Sequence, residues 1–267
     1  MNLHCVEMGN PTGPIVAVVH GILGSGLNWR SFCQRLYRLR PELRFVLIDL
    51  RNHGRSAKTE SPNTLMECAK DLMQLQERVG AFSAMIGHSF GGKVALQCSE
   101  MFPPSLQEVW GLDCNPSILL GQARDENEVT LTMQMLRSVP IPVQRRSVVS
   151  AWLLEKGASL AIARWMTTNL RKEVDGYHWR FDLDGVEEMI DDYFRQDLWG
   201  ALERPKRRCH LLRAVHSDRW TADSIARLES LSEGYHTLQA GHWVHADNPE
   251  GLLQILSEHL RIEKGPQ

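Results

Sequence analysis

The stretch Ala84-Met85-Ile86-Gly87-His88-Ser89-Phe90-Gly91-Gly92-Lys93 decides the fold. It opens on the short apolar run of a buried strand, passes through a G-x-S-x-G pentapeptide, and enters a helical pattern from Lys93 to Met101. A chain that turns this sharply from strand to helix needs small residues two positions either side of the serine, where backbones approach closely. The turn sets the serine oxygen at a helix N-terminus, whose partial positive charge stabilises developing negative charge. A glycine-rich turn with an incidental serine is the plainer alternative. Gly87 to Lys93 also satisfies G-x-x-x-x-G-K, the opening of a phosphate-binding loop. Val94 occupies the place where magnesium needs a Ser or Thr hydroxyl, and the loop follows a later strand, so nucleotide binding is disfavoured.

Working outward, apolar runs alternate with amphipathic stretches. Ile15–Val19, Phe45–Ile48, Ala84–Ile86 and Val109–Leu112 read as strands buried on both faces. Helical periods lie between them, the first carrying Trp29, Phe32, Cys33, Leu36 and Leu39. The βα rhythm predicts a mostly parallel sheet with helices on both faces, an α/β fold. From about Ser117 to Leu202 the rhythm breaks into helical stretches rich in Leu, Met and Trp, with no convincing strand. It resumes with strands at Cys209–Leu212 and His236–Leu238, a helix near Thr221–Leu231, and a last helix bearing Leu252, Ile255, Leu256 and Leu260. The basic cluster Arg204-Pro205-Lys206-Arg207-Arg208 reads as a solvated loop.

The chain has 267 residues, 43% hydrophobic and 23% charged, with a formal charge of −2. That composition excludes collagen-like, coiled-coil and wholly disordered classes and calls for neither nucleic acid nor an anionic membrane surface. Apolar runs of about five residues fall far short of the ~20 that span a bilayer. No basic residue precedes Arg30, so no secretory or transit signal is readable. The six cysteines are scattered without metal-ligand spacing, as expected of reduced, mostly buried thiols in a cytoplasmic protein.

A serine nucleophile needs a base and a group that orients it. His242, in Gly241-His242-Trp243 after the last strand, can reach back over the sheet edge, and His245 reads as its structural neighbour. Two acids satisfy the order Ser, Asp, His. Asp113 follows the strand Val109–Leu112, and Asp218 follows the strand Cys209–Val215. Either could instead be a loop carboxylate, and Asp218 precedes a helix it could cap. Oxyanion donors are expected from the N–H of Phe90 and from the loop His20-Gly21-Ile22-Leu23-Gly24, with Ile22 preferred and Leu23 second. The remaining histidines, His20, His53 and His88 among them, read as residues of motif turns and polar loops.

Four segments together resemble the α/β-hydrolase superfamily: His20-Gly21-Ile22-Leu23-Gly24-Ser25, Asp49-Leu50-Arg51-Asn52-His53-Gly54-Arg55-Ser56, Gly87–Lys93, and Gly241-His242-Trp243-Val244-His245-Ala246. The D-x-R-N-H-G-x-S segment is similar to that of a group of capped acyl esterases, and Trp179-Arg180-Phe181 to a W-R-F segment they carry. The resemblance spans nearly the whole chain and is weakest through residues 118–175. It implies a core of residues 1–117 and 200–267 with a helical cap at 118–199. It also implies hydrolysis of a small-molecule ester or thioester without cofactor or metal. It favours Asp113 as the acid, through the turn Asp113-Cys114-Asn115-Pro116 and the serine, here Ser217, at the later position. Leu23, Trp152, Trp165 and Trp179 are the candidate walls of an acyl pocket. Two further readings stay open: C–C cleavage or elimination on the same triad, as in a menaquinone-pathway synthase, and a non-catalytic ligand receptor. The synthase group carries Arg where this chain has Lys93. Related dehalogenases and epoxide hydrolases use an aspartate nucleophile, and Ser89 stands there.

Overall fold

A computed structural model of the chain describes residues 1–121 and 125–262. A seven-stranded sheet forms its centre, in the order β1 (Cys5–Gly9), β3 (Arg44–Ile48), β2 (Ile15–Val19), β4 (Phe82–His88), β5 (Glu108–Leu112), β8 (Arg208–Ala214) and β9 (Tyr235–Leu238). All neighbours pair in parallel except β1, which lies antiparallel along β3. Side chains on a strand alternate between faces, and β2 and β3 split accordingly. Ile15, Ala17, Val19, Val46 and Ile48 join one apolar core, with α2 (Leu65–Val79) and α3 (Phe90–Met101). Val16, Val18, Phe45 and Leu47 join the other, with α1 (Arg30–Leu39) and α11 (Pro249–His259). Burial on both faces is why these strands read as continuous apolar runs.

Between β5 and β8 the chain forms α4 (Glu128–Arg137), α5 (Arg146–Glu155), α6 (Leu160–Thr168) and α7 (Leu183–Arg195), then the short α8 (Gly200–Glu203). Helices α4 to α7 enclose a third apolar cluster of their own, built on Leu136, Val149, Leu153, Met166 and Phe194. The sequence reading missed two things here. A hairpin of β6 (Leu170–Lys172) and β7 (Tyr177–Trp179) interrupts the helices, and its strands are too short to show a period of two. At the other end of the chain, β1 is half-buried and lacks an apolar run. A 3-10 turn at Gly26–Trp29 leads into α1, and helices α9 (Ala222–Glu229) and α10 (Val244–Asp247) follow β8 and β9.

Most of the basic cluster is exposed as a solvated loop would be, at Arg204, Pro205, Lys206 and Arg208, and Arg207 alone is half-buried. The Arg207 guanidinium donates to the carbonyls of Ser99, Phe102, Pro103 and Leu106, and so closes the C-terminus of α3. Arg208 pairs with Glu108, whose side chain is fully buried. Five of the six cysteines are buried and all six are free thiols. Among the described residues no helix is long and apolar enough to cross a membrane.

Candidate active site

Ser89 occupies the junction of β4 and α3 with φ 52° and ψ −117°, a conformation costing on the order of 1–3 kcal/mol for a residue with a side chain. Its N–H donates to Leu112 O on the adjacent strand at 2.8 Å, which holds the turn in place. Close approach explains the flanking glycines. A Cβ on Gly87 would lie 1.9 Å from Gly91 O, and one on Gly91 would lie 2.5 Å from His20 O. Phe90 is the first residue of α3, where N–H groups have no partner within the helix.

The end of β5 supplies the carboxylate. Asp113 is buried, with φ 46°. Its Oδ2 accepts from Nδ1 of His242 at 2.7 Å. Its Oδ1 accepts from Ala214 N–H at 3.0 Å and from the Trp220 indole N–H at 2.7 Å. Every contact on this carboxylate is therefore a donor, and His242 turns its Nδ1–H to it. Asp218 lies elsewhere, with its side chain 80% exposed and 3.5 Å from Arg219 Nε. The structure brings His242 to Asp113 and not to Asp218.

The His242 loop is pinned by a residue of the serine turn. His88 is buried, donates from Nε2 to His242 O at 2.7 Å, and packs its ring 4.8 Å from that of His242. Burial and the neighbouring His242 and His245 hold His88 well below the ordinary imidazole range, so it is a neutral donor. His245 is half-buried, packs against Trp29 at 4.4 Å and is likewise lowered, to about 4.

The loop after β2 is arranged by two more buried imidazoles. His20 donates from Nδ1 to Gly21 O at 2.7 Å and accepts Leu50 N–H on Nε2 at 3.0 Å. His53 donates from Nδ1 to Arg51 O at 2.9 Å and accepts Leu23 N–H on Nε2 at 3.0 Å. Burial lowers their pKa values to about 4 and about 3. The Leu23 N–H is thus already paired with an imidazole nitrogen. Among the described residues the Ile22 N–H has no hydrogen-bond partner.

Ser89, His242, Ile22 and Phe90 line one cleft of about 1060 Å³, counting its open mouth. Much of its lining comes from the helical insertion, with Leu119, Val129, Ile162, Trp165, Ile190 and Phe194 as the apolar part and Asn127, Glu128 and Thr132 as the polar part. Of the tryptophans expected to wall a pocket, Trp165 does so, packed edge-on to Trp243 at 4.5 Å. Trp152 and Trp179 do not line it. Trp152 donates to Ser138 Oγ at 3.0 Å, and Trp179 stacks on Phe181 inside the insertion's apolar cluster. Leu23 touches the cleft but buries its side chain in that same cluster.

Lys93 is buried beneath this wall. Its ammonium donates to the carbonyls of Ser117, Tyr193 and Gln196 at 2.8–2.9 Å, closing the C-terminus of α7. Burial pulls its pKa down to about 8. Outside the cleft, Glu173, Asp175 and His178 bring potential metal-ligand atoms within 4.8 Å of one another. Arg171 already pairs with Glu173 at 2.6 Å, and none of the three lines the cleft.

The sequence reading missed His88, His53, Trp220 and Trp243 as parts of this site. The adjacency of His88 to Ser89 and of Trp243 to His242 was the available signal. The others depend on burial and long-range contact that local patterns do not carry.

A mostly parallel sheet with a serine turn after β4 and a His–Asp pair at its rim is a hydrolase architecture. Residues 16–255 match the Alpha/beta hydrolase family, and the chain belongs to it. It is 24% identical over 253 residues to the sn-1-specific diacylglycerol lipase ABHD11 of Xenopus tropicalis, covering 93% of this chain and 78% of that protein. It is 24% identical over 252 residues to esterase YbfF of Escherichia coli strain K12, covering 92% of each. The solved structure of a marine microorganism esterase superposes with a TM-score of 0.83 at 23% identity, over 96% of this chain and 98% of that one.

Proposed function

We propose that the chain is a serine hydrolase of esters or thioesters with an apolar acyl group. Ser89 Oγ attacks the acyl carbonyl, and His242 takes its proton on Nε2 and returns it to the leaving group. Asp113 keeps the imidazole in the required tautomer and stabilises the imidazolium. The N–H groups of Ile22 and Phe90 hold the oxyanion, and water then cleaves the acyl-enzyme. The observation that carries this reading is the 2.7 Å His242–Asp113 hydrogen bond beside a cleft that Ser89 shares. The names of the relatives, lipase and esterase, support the same bond class. In this reading residues 1–117 and 200–267 are the catalytic core, and 118–199 form a cap that supplies the apolar wall. C–C cleavage or elimination of an anionic substrate is disfavoured, because the Lys93 ammonium is bound to three carbonyls away from the cleft.

The test is hydrolysis of a p-nitrophenyl ester panel by wild type and Ser89→Ala. Loss of the nucleophile should cost several orders of magnitude in kcat. Equal rates would overturn the proposal, as would a Ser89 that fails to label with a fluorophosphonate.

A further inference from the structure

The oxyanion loop is gripped from the helical insertion as well as from the sheet. Gly21, Ile22, Leu23 and Gly24 form a tight turn closed by Gly24 N–H donating to Gly21 O at 3.0 Å. Leu23, its third residue, sits at φ 60°, in the left-handed region that a leucine adopts only under constraint. Three ties hold it there. His53 accepts its N–H, and its side chain lies in the insertion's apolar cluster. Its carbonyl accepts from Asn169 Nδ2 at 2.9 Å, in a contact buried on both sides. Asn169 follows α6, and its own carbonyl accepts Arg180 N–H at 2.7 Å, so the amide stands on a fixed backbone.

These bonds run in series. The Leu23–Gly24 peptide receives Asn169 on its carbonyl and donates its N–H to the carbonyl of the Gly21–Ile22 peptide. A trans peptide points its N–H opposite its C=O, so fixing Gly21 O fixes the direction of the Ile22 N–H, which is left for the cleft. Each bond in such a chain also polarises the next and strengthens the terminal donor.

We propose that Asn169 is a positioning residue for the oxyanion hole, through which the insertion orients the Ile22 N–H for the transition state. Asn169 does not line the cleft, and the inference rests on the assignment of Ile22 and Phe90 as oxyanion donors to Ser89 chemistry. The role is specific to the negatively charged tetrahedral species, so the ground-state ester should be bound equally well without it.

The test uses the full chain with Asn169→Ala, which removes the donor, Asn169→Asp, which faces the Leu23 carbonyl with a carboxylate, and Asn169→Gln, which restores an amide. Hydrolysis of p-nitrophenyl butyrate is measured alongside inhibition by an alkyl trifluoromethyl ketone, whose serine adduct carries an oxyanion. Assays run well below the lowest melting temperature of the set. The expected result is a 10- to 100-fold fall in kcat for Ala and Asp with KM within about twofold, since deleting one oxyanion donor outright costs about 10²–10³. The ketone should weaken by the same factor as kcat, with partial recovery of both in Gln. Unchanged kcat overturns the proposal, and so does a fall in kcat without matching loss of ketone affinity. A rise in KM alone would assign Asn169 to substrate binding and overturn it equally. If Asn169→Asp does not fold, Asn169→Ala decides by the same criteria. Wild-type turnover in Ser89→Ala would instead sink the underlying serine reading, which separates the two failures.

Discussion

Replacing Asp113 by Asn tests the site most sharply, because the surroundings dictate how the new amide must sit. Oδ1 of Asp113 accepts two N–H donors, from Ala214 at 3.0 Å and Trp220 at 2.7 Å, and Oδ2 accepts from His242. An Asn amide has one oxygen and one NH2 group. Turning its NH2 toward Ala214 and Trp220 would oppose donor to donors and leave two buried N–H groups unpaired, at about 1–3 kcal/mol each. The amide therefore turns its oxygen to them and its NH2 to His242. Nδ1 must then accept, the ring proton moves to Nε2, and the atom that should take the serine proton is occupied. With roughly 2–6 kcal/mol against the alternative, the wrong tautomer dominates by about 30-fold or more. We expect kcat to fall on the order of 10⁴-fold, by analogy with serine proteases, while the fold persists. The assay compares p-nitrophenyl butyrate turnover of Asp113→Asn and Asp218→Asn at matched thermal stability. Asp218 is exposed and should tolerate the change within twofold. Near-wild-type turnover by Asp113→Asn with a crippled Asp218→Asn would refute the reasoning.

Three further outcomes follow from the same contacts. His20, His53 and His88 are buried and His245 is half-buried, and desolvation lowers the pKa of all four, with His20, His53 and His245 brought to about 4, 3 and 4. The unfolded chain therefore binds more protons below pH ~6.5; stability is complete above that pH and falls as pH drops, by up to about 1.4 kcal/mol per unit for each residue. With a total of about 5–15 kcal/mol, unfolding near pH 5 is expected in melts between pH 8 and 4, and a flat melting temperature down to pH 5 would contradict it. Lys93→Met should cost about 3 kcal/mol, or roughly 6–12 °C, by stranding three buried carbonyls, as calorimetry can measure. Trp165→Ala should shift the preferred acyl length of a p-nitrophenyl ester series upward, whereas Trp152→Ala and Trp179→Ala should leave the profile unchanged.

The sheet and the serine turn were legible in the sequence because both are local. Ile15–Val19 and Phe45–Ile48 declare two-sided burial through their composition. Gly87 and Gly91 declare a backbone crossing that only glycine survives. The order of Ser89, an acid and His242 was equally visible along the chain. That order alone did not say which aspartate faces His242, because Asp113 and Asp218 both follow strands and both fit it; the resemblance favoured Asp113, and the packing of β5 beside β8, with Ala214 and Trp220 converging on one carboxylate, brings that one to His242. Tertiary structure likewise chose Trp165 over Trp152 and Trp179, since an indole reads the same whether it lines a cleft or fills a core. It also turned His53 and His88 from loop residues into buried neutral hydrogen-bonding groups. Each ring has one nitrogen bonded to a partner thirty or more residues distant, and burial at such range leaves no periodic mark on the sequence around them.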